Sequence, residues 1–304
     1  MSDETTAQQS YDAPPTESTA GLSIAVLGLG RAGQALAREF VDAGCSVVGL
    51  WNRGPKEVHP DLAELPIHRG GQAPPQSLID AANVLVLAVH DSVIEEVAAR
   101  LAPRPGTLLL HLSGALPASA LGPLPPSVHG GCYHPLQSFR SDGEPAWPVP
   151  PYYLALDGDA RALAVGRSLA NATGHPCLVL DPEGKAAYHA AAVLTSGCMV
   201  ALQSAATEAL SASGVPENQR WPLLWPLAAG TMANLGDGDF PGSLTGPIAR
   251  GDAETTARNL AALAELPEVA ALYRALGLRS LEQAVKGGLE SERAAATRAV
   301  LEDT

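Results

Sequence analysis

The sequence predicts a doubly wound α/β domain with a parallel sheet, followed by an all-α domain, and three observations carry that reading. Short apolar runs alternate with helical patterns from Leu22 to about Leu180, a glycine-rich turn follows the first of those runs, and no strand pattern recurs after Asp181. The chain therefore divides into an N-terminal tail over 1–21, a nucleotide-binding domain over 22–180 and a helical domain over 181–304.

The opening MSDETTAQQSYDAPPTESTAG is polar and acidic, lacks the basic flank and apolar run of a signal peptide, and is expected to be a disordered tail. LSIAVLGLG, SVVGLWN, NVLVLAV, TLLLHLS, YYLALDG and PCLVLD are the expected strands. Several are apolar on both faces, as a parallel sheet covered by helices on each side demands. The proline-rich HPDLAELPIHRGGQAPPQ and SDGEPAWPVPP read as loops. The helical half is expected as a long segment from about Pro182 to Ser213, then segments near 216–235, 252–263, 267–276 and 280–302.

Composition narrows the function classes. A net charge of -13 argues against nucleic acid or an anionic membrane surface as the main partner, because phosphate binding needs clustered Lys and Arg. Cys45, Cys132, Cys177 and Cys198 lie far apart with no CxxC pair, which favours reduced thiols in a cytoplasm over a zinc site or a disulfide framework. No apolar stretch is read as reaching the roughly 18 residues that a membrane-spanning helix requires. Neither a metal, a nucleic acid nor a membrane is expected.

SIAVLGLGRAGQALAREFVDAG places Gly28, Gly30 and Gly33 in a GxGxxG pattern that leaves a strand and opens a helix, with Leu29, Arg31 and Ala32 between the glycines. Gly28 permits the tight turn, Gly30 admits a pyrophosphate to the backbone, and Gly33 lets helix and strand pack closely. The helix N-terminus then offers free N–H groups to the diphosphate. Where an NAD-binding chain usually carries an acidic residue for the ribose, Asn52 and Arg53 stand instead. Arg53, with Arg31 as a second cation, can pair with a 2′-phosphate, so NADP is the predicted cofactor. Val89, Ser113 and Gly114, at the carboxyl ends of later strands, are expected to line its nicotinamide side; His90 has an equal claim to being a solvent-facing loop residue.

Three further segments hold candidate substrate residues. In HGGCYHPLQSFR, His134 with Ser138 can hold a carboxylate or oxyanion, or can serve a structural turn. In TGPIARGDAETTARN, Thr245 and Arg250 are substrate candidates, with Arg250 able to fork onto a carboxylate, while Asp252 reads as a helix N-cap. In KAAYHAAAV, Lys185 is one of three lysines in the chain, and Lys185, His189, Ala192 and Ser196 share one helical stripe. That stripe reads as the wall of a site or as a solvated face.

Taken together, the GLGRAG turn, the strand ending in WNR, and the GGCYHPLQSF, KAAYHAAAV and LTGPIARGD segments resemble the predicted NADP oxidoreductases that pair a Rossmann-like domain with a C-terminal domain of unknown function (DUF2520). The resemblance covers nearly all of Leu22 to Thr304 and implies a Rossmann-type fold for the first domain. His134 and Pro135 are similar to the His-Pro pair of prephenate and arogenate dehydrogenases, whose histidine contacts the reacting substrate. Lys185 stands where ketopantoate reductases and β-hydroxyacid dehydrogenases carry a general acid or base, although His189 replaces the asparagine expected four residues later. The resemblance also implies a homodimer through the helical domain.

The resulting expectation is an NADP-dependent reductase of a small carboxylate-bearing carbonyl compound, a 2-keto acid such as ketopantoate, with Lys185, His189 and His134 catalytic and Ser138, Ser196, Thr245 and Arg250 binding substrate. Reduction of an imine of the pyrroline-5-carboxylate type is the enzymatic alternative. A non-catalytic NADP-binding sensor or scaffold is the other.

Overall fold

The computed structural model describes residues 19–140, 151–236 and 238–303. The expected disordered tail up to residue 18, and the SDGEPAWPVPP loop up to residue 150, lie outside the described residues. Packing divides the chain into two units, Met1–Leu194 and Thr195–Thr304. The change from strands to helices read at 180/181 precedes that division, because the helix that begins at Lys185 packs by its first residue into the sheet unit.

The first unit runs β1 (Ser23–Leu27), α1 (Arg31–Asp42), β2 (Ser46–Asn52), β3 (Ile67–Arg69), α2 (Gln76–Ala81), β4 (Val84–Leu87), α3 (Ile94–Ala99), β5 (Leu108–His111), β6 (His129–Pro135), β7 (Leu154–Gly158), α4 (Ala160–Ala172), β8 (Cys177–Val179) and α5 (Lys185–Thr195). The strands form one eight-stranded sheet in the order β3-β2-β1-β4-β5-β6-β7-β8. Every pairing is parallel except β6 with β7, which is antiparallel. Successive strand residues feed opposite cores, as a period of two dictates. Ile24 and Val26 join Leu36 and Phe40 of α1 and Leu169 of α4 on one face. Ala25 and Leu27 join Leu78 and Ile79 of α2 and Ile94 and Val97 of α3 on the other.

Two strands correct the sequence reading. HPDLAELPIHRGGQAPPQ is not wholly loop, since Ile67–Arg69 pairs with β2 as β3. HGGCYHP is not a turn but β6, whose glycines pack tightly: a Cβ on Gly131 would stand 2.6 Å from Ala162 Cβ and 2.8 Å from Asp157 O. Glycine here admits close approach by neighbouring elements inside a strand.

The second unit contains α6 (Gly197–Ala209), α7 (Glu217–Asn234), the short α8 (Phe240–Ser243), α9 (Ala253–Ala262), α10 (Pro267–Lys286) and α11 (Ser291–Glu302). Leu260, Leu281, Ala294 and Leu301 form its core. The expected break between 276 and 280 is absent. Gly277 lies inside α10, where a Cβ would meet Leu301 Cδ2 at 2.7 Å, so this glycine serves helix packing; the break falls at Gly287 and Gly288 instead.

The expected helical run Pro182–Ser213 is present, with Ser196 (φ -111°, ψ -79°) as the single residue between α5 and α6. It also contains an 18-residue window of mean hydropathy of at least 1.2, peaking at 1.4, none of it buried, so by length and composition this run is long and apolar enough to cross a membrane. The expectation that no stretch reaches that length does not hold. Alanine supplies the difference, raising mean hydropathy without bulky side chains.

Candidate active site

The carboxyl ends of β1 and β2 build a nucleotide cradle. Gly28 has φ +112°, and a Cβ there would lie 2.2 Å from Ala88 O. A Cβ on Gly33 would lie 2.0 Å from Gly28 O, so α1 can approach the turn only with glycine at that position. Gly30 differs: nothing lies within 4 Å of its missing side chain, which leaves open space over the turn. No side chain caps the N-terminus of α1 and its first turn holds no acidic residue, so its leading N–H groups and positive dipole end suit an anion.

Asn52 braces this cradle from within. Its Oδ1 accepts the Leu29 N–H at 2.9 Å, and its Nδ2 donates to Gly54 O at 2.8 Å. Arg53 and Arg31 are exposed and, among the described residues, have no acidic partner. Sequence reading missed a third cation: Arg69, in register with Asn52 on β3, adds a guanidinium at the same sheet end. Its signal was hidden in a three-residue strand inside a proline-rich segment. Open space at Gly30, an uncapped helix end and unpaired arginines without a carboxylate fit an NADP diphosphate and 2′-phosphate.

Around β4, β5 and β6 the polar groups are closely interlocked. Ser113 Oγ donates to Asp91 Oδ2 at 2.7 Å and accepts the Ala115 and Leu116 N–H groups, so this hydroxyl shapes the turn that presents Gly114. His111 is fully buried; it accepts the Ser113 N–H at Nδ1 and donates from Nε2 to Pro117 O. Burial lowers its pKa to about 4 and keeps it neutral. Val89 is half-buried beside Gly28, while exposed His90 pairs with Ser92 in its own loop.

Lys185 opens α5 and is only 1% exposed. Its Nζ donates to Cys132 Sγ at 3.0 Å, and that thiol donates to Ser113 O at 3.1 Å. Burial pushes the Cys132 thiol up to about 11, so it stays protonated. Among the described residues no carboxylate lies in ion-pair contact with Lys185. Burying an amine without a direct counter-ion is costly.

One turn along α5, Tyr188 and His189 reach the same region. His134 Nδ1 lies 2.8 Å from Tyr188 Oη, with the rings edge to face. Burial lowers the His134 pKa to about 4, with nearby Lys185 adding to the effect. A Cβ on Gly114 would stand 2.6 Å from His134 Nε2 and 2.9 Å from His189 Nδ1, and the latter atom is buried without a partner. Two imidazole edges thus converge on one glycine. Ser138 stands apart on the exposed chain beyond β6.

The remaining substrate candidates belong to the helical unit. Ser196 lies between α5 and α6, directly before the first residue of α6. Thr245 and Arg250 are exposed, and Arg250 lines a cavity of about 340 Å³ with Arg293, a cation sequence reading did not single out. Asp252 is the N-cap expected of it, its carboxylate accepting the Thr255 N–H at 2.9 Å. No cluster of His, Cys, Asp and Glu able to hold a metal occurs among the described residues.

Residues 23–112 match the family described as NADP oxidoreductase, coenzyme F420-dependent, and residues 152–280 match the domain of unknown function DUF2520. Among solved structures, a Bacteroides fragilis protein assigned as an NADP oxidoreductase superposes with a TM-score of 0.69 at 20% identity, over 87% of this chain and 100% of that one. A Thermotoga maritima protein gives 0.64 at 22% identity, over 86% and 98%. Plasmodium falciparum pyrroline carboxylate reductase, solved with NADP bound, gives 0.54 at 12% identity, over 91% and 98%. At these identities the likeness is one of fold. No curated protein matches the chain.

Proposed function

We propose that this chain, whose residues 23–112 match the NADP oxidoreductase model and whose residues 152–280 match DUF2520, is an NADP-dependent oxidoreductase that reduces a small carbonyl compound bearing a carboxylate, such as a 2-keto acid of the ketopantoate kind. The observation that carries this reading is Lys185, buried against Cys132 of β6 where that strand pairs with the carboxyl end of β5, and near the His134 ring.

NADPH, when bound, supplies a hydride; the cradle at Gly28–Gly33 would hold its diphosphate, and Arg31, Arg53 and Arg69 its 2′-phosphate. Lys185 delivers the proton that the developing alkoxide requires, and enclosure by Cys132 and Ser113 keeps bulk water from competing. His134 and His189 orient the substrate at Gly114. Within the helical unit, Arg250 and Arg293 line one cavity and offer it two guanidinium groups.

Conversion of Lys185 to Ala is expected to lower turnover by roughly 10²-fold or more while NADPH still binds, if general acid catalysis is its role. Full activity in that variant would end the proposal. The imine alternative, supported by fold likeness to pyrroline carboxylate reductase, needs the same proton at nitrogen.

We also infer a homodimer through the helical unit. Val200, Leu223 and Leu227 are 72%, 59% and 70% exposed, with Trp221 and Phe240 on the same unit also open to solvent. Exposed apolar side chains in this number on one unit support a partner surface that covers them.

A further inference from the structure

Tyr188 has no part in the mechanism above, yet its hydroxyl reaches the one histidine whose ring bridges β6 and the Gly114 turn. Among the described residues, the only hydrogen-bond partner of Tyr188 Oη is His134 Nδ1, at 2.8 Å. Two arrangements satisfy that distance. If Nδ1 carried the hydrogen, the phenolic O–H of the half-buried tyrosine would have no protein acceptor among the described residues, and Nε2 would present a bare lone pair to Gly114. If the phenol donates, its hydrogen is satisfied by a strong sp² acceptor and Nε2 carries the hydrogen. The second arrangement leaves no phenolic hydrogen unpaired.

Both groups are in the protonation state this requires. Burial raises the Tyr188 phenol to about 12, so it keeps its hydrogen at neutral pH. Burial, with Lys185 and His189 nearby, lowers His134 to about 4, so its ring is neutral and one nitrogen must be an acceptor. The hydrogen bond at one ring nitrogen then decides what the other presents.

Resting on the reductase reading, we propose that Tyr188 is a positioning residue: its O–H, donated to His134 Nδ1, fixes the neutral Nε2–H tautomer and aims that N–H at the space over Gly114, where it hydrogen-bonds the oxygen or nitrogen of the reducible C=O or C=N group. His134 thereby serves the reacting end of the substrate and not its carboxylate. A neutral N–H suits this role, because it polarises a carbonyl while offering no charge to attract the carboxylate of the same molecule into the wrong place. His189 Nδ1, buried without a partner at the same point, is completed by the same substrate group or its neighbour.

The test is ¹⁵N NMR of the histidine side chains in the full-length protein, with His134 assigned by a His134→Gln variant, and kinetics of Tyr188→Phe. The wild type should show His134 with Nε2 protonated and Nδ1 pyridine-like. Tyr188→Phe should convert it to a mixture of tautomers, lower kcat by roughly tenfold, the worth of one hydrogen bond, and leave the KM for NADPH unchanged. A wild-type His134 protonated at Nδ1 would overturn the proposal even if the variant failed to fold. So would an unchanged tautomer with unchanged kcat in Tyr188→Phe. Because the tautomer is read without turnover, a wild type inactive on every substrate would count against the reductase reading alone.

Discussion

Arg53 and Asn52 show how neighbouring residues divide one task. Asn52 turns inward and holds the Leu29 N–H, giving the glycine turn its shape. Arg53 stays outward without an acidic partner among the described residues. An acidic residue after β2 would repel a 2′-phosphate, whereas Arg53 attracts one. Replacing Arg53 with Ala should therefore weaken NADPH binding by roughly tenfold or more and leave NADH binding essentially unchanged. Fluorescence titration with both nucleotides checks this; equal losses for the two would show that Arg53 does not read the phosphate.

At the scale of elements, α4 illustrates how a cap links two strands to a helix. Asp159 accepts the N–H groups of Ala162 and Gly130 and pairs with His129 of β6. Burial opposes its ionisation, yet those two amides and His129 hold its carboxyl below the usual range. A depressed folded pKa contributes stability above the unfolded value, near 4, and that contribution is lost as pH falls through the folded value. Asp159→Ala should cost roughly 1 kcal/mol at pH 7, and the gap from wild type should narrow below about pH 4. Urea melts at pH 7 and pH 3 test it; a gap that does not narrow would remove the carboxylate from the account.

The same elements show what sequence could and could not reveal. β1, β4 and β5 were legible because apolar runs buried on both faces leave a plain signal, and β2, β7 and β8 because their apolar runs stand between helical patterns. β6 was not, since Gly130 and Gly131 imitate loop punctuation while making room for Leu124 and Ala162. Gly277 misled in the same way within α10. Lys185, His134 and Gly114 could be picked out as residues of interest, but the contacts that give them meaning join positions far apart in the chain. Lys185 to Cys132 and Tyr188 to His134 depend on β6 being a strand beside α5.

For the whole molecule, the proposal assigns nucleotide and reacting groups to the sheet unit, while the helical unit carries exposed apolar side chains such as Val200, Leu223 and Leu227. If that surface pairs two copies, sedimentation equilibrium should give twice the chain mass, and Leu227→Glu should yield monomers. A monodisperse monomer of the wild type at micromolar concentration would contradict the dimer. The central claim, that this chain reduces a carbonyl with NADPH, meets its most direct test in NADPH oxidation by the full-length protein against a panel of 2-keto acids and cyclic imines. The account predicts turnover with at least one 2-keto acid and a marked preference for NADPH over NADH. NADPH binding without turnover on any member of the panel would contradict it and favour a nucleotide-binding sensor.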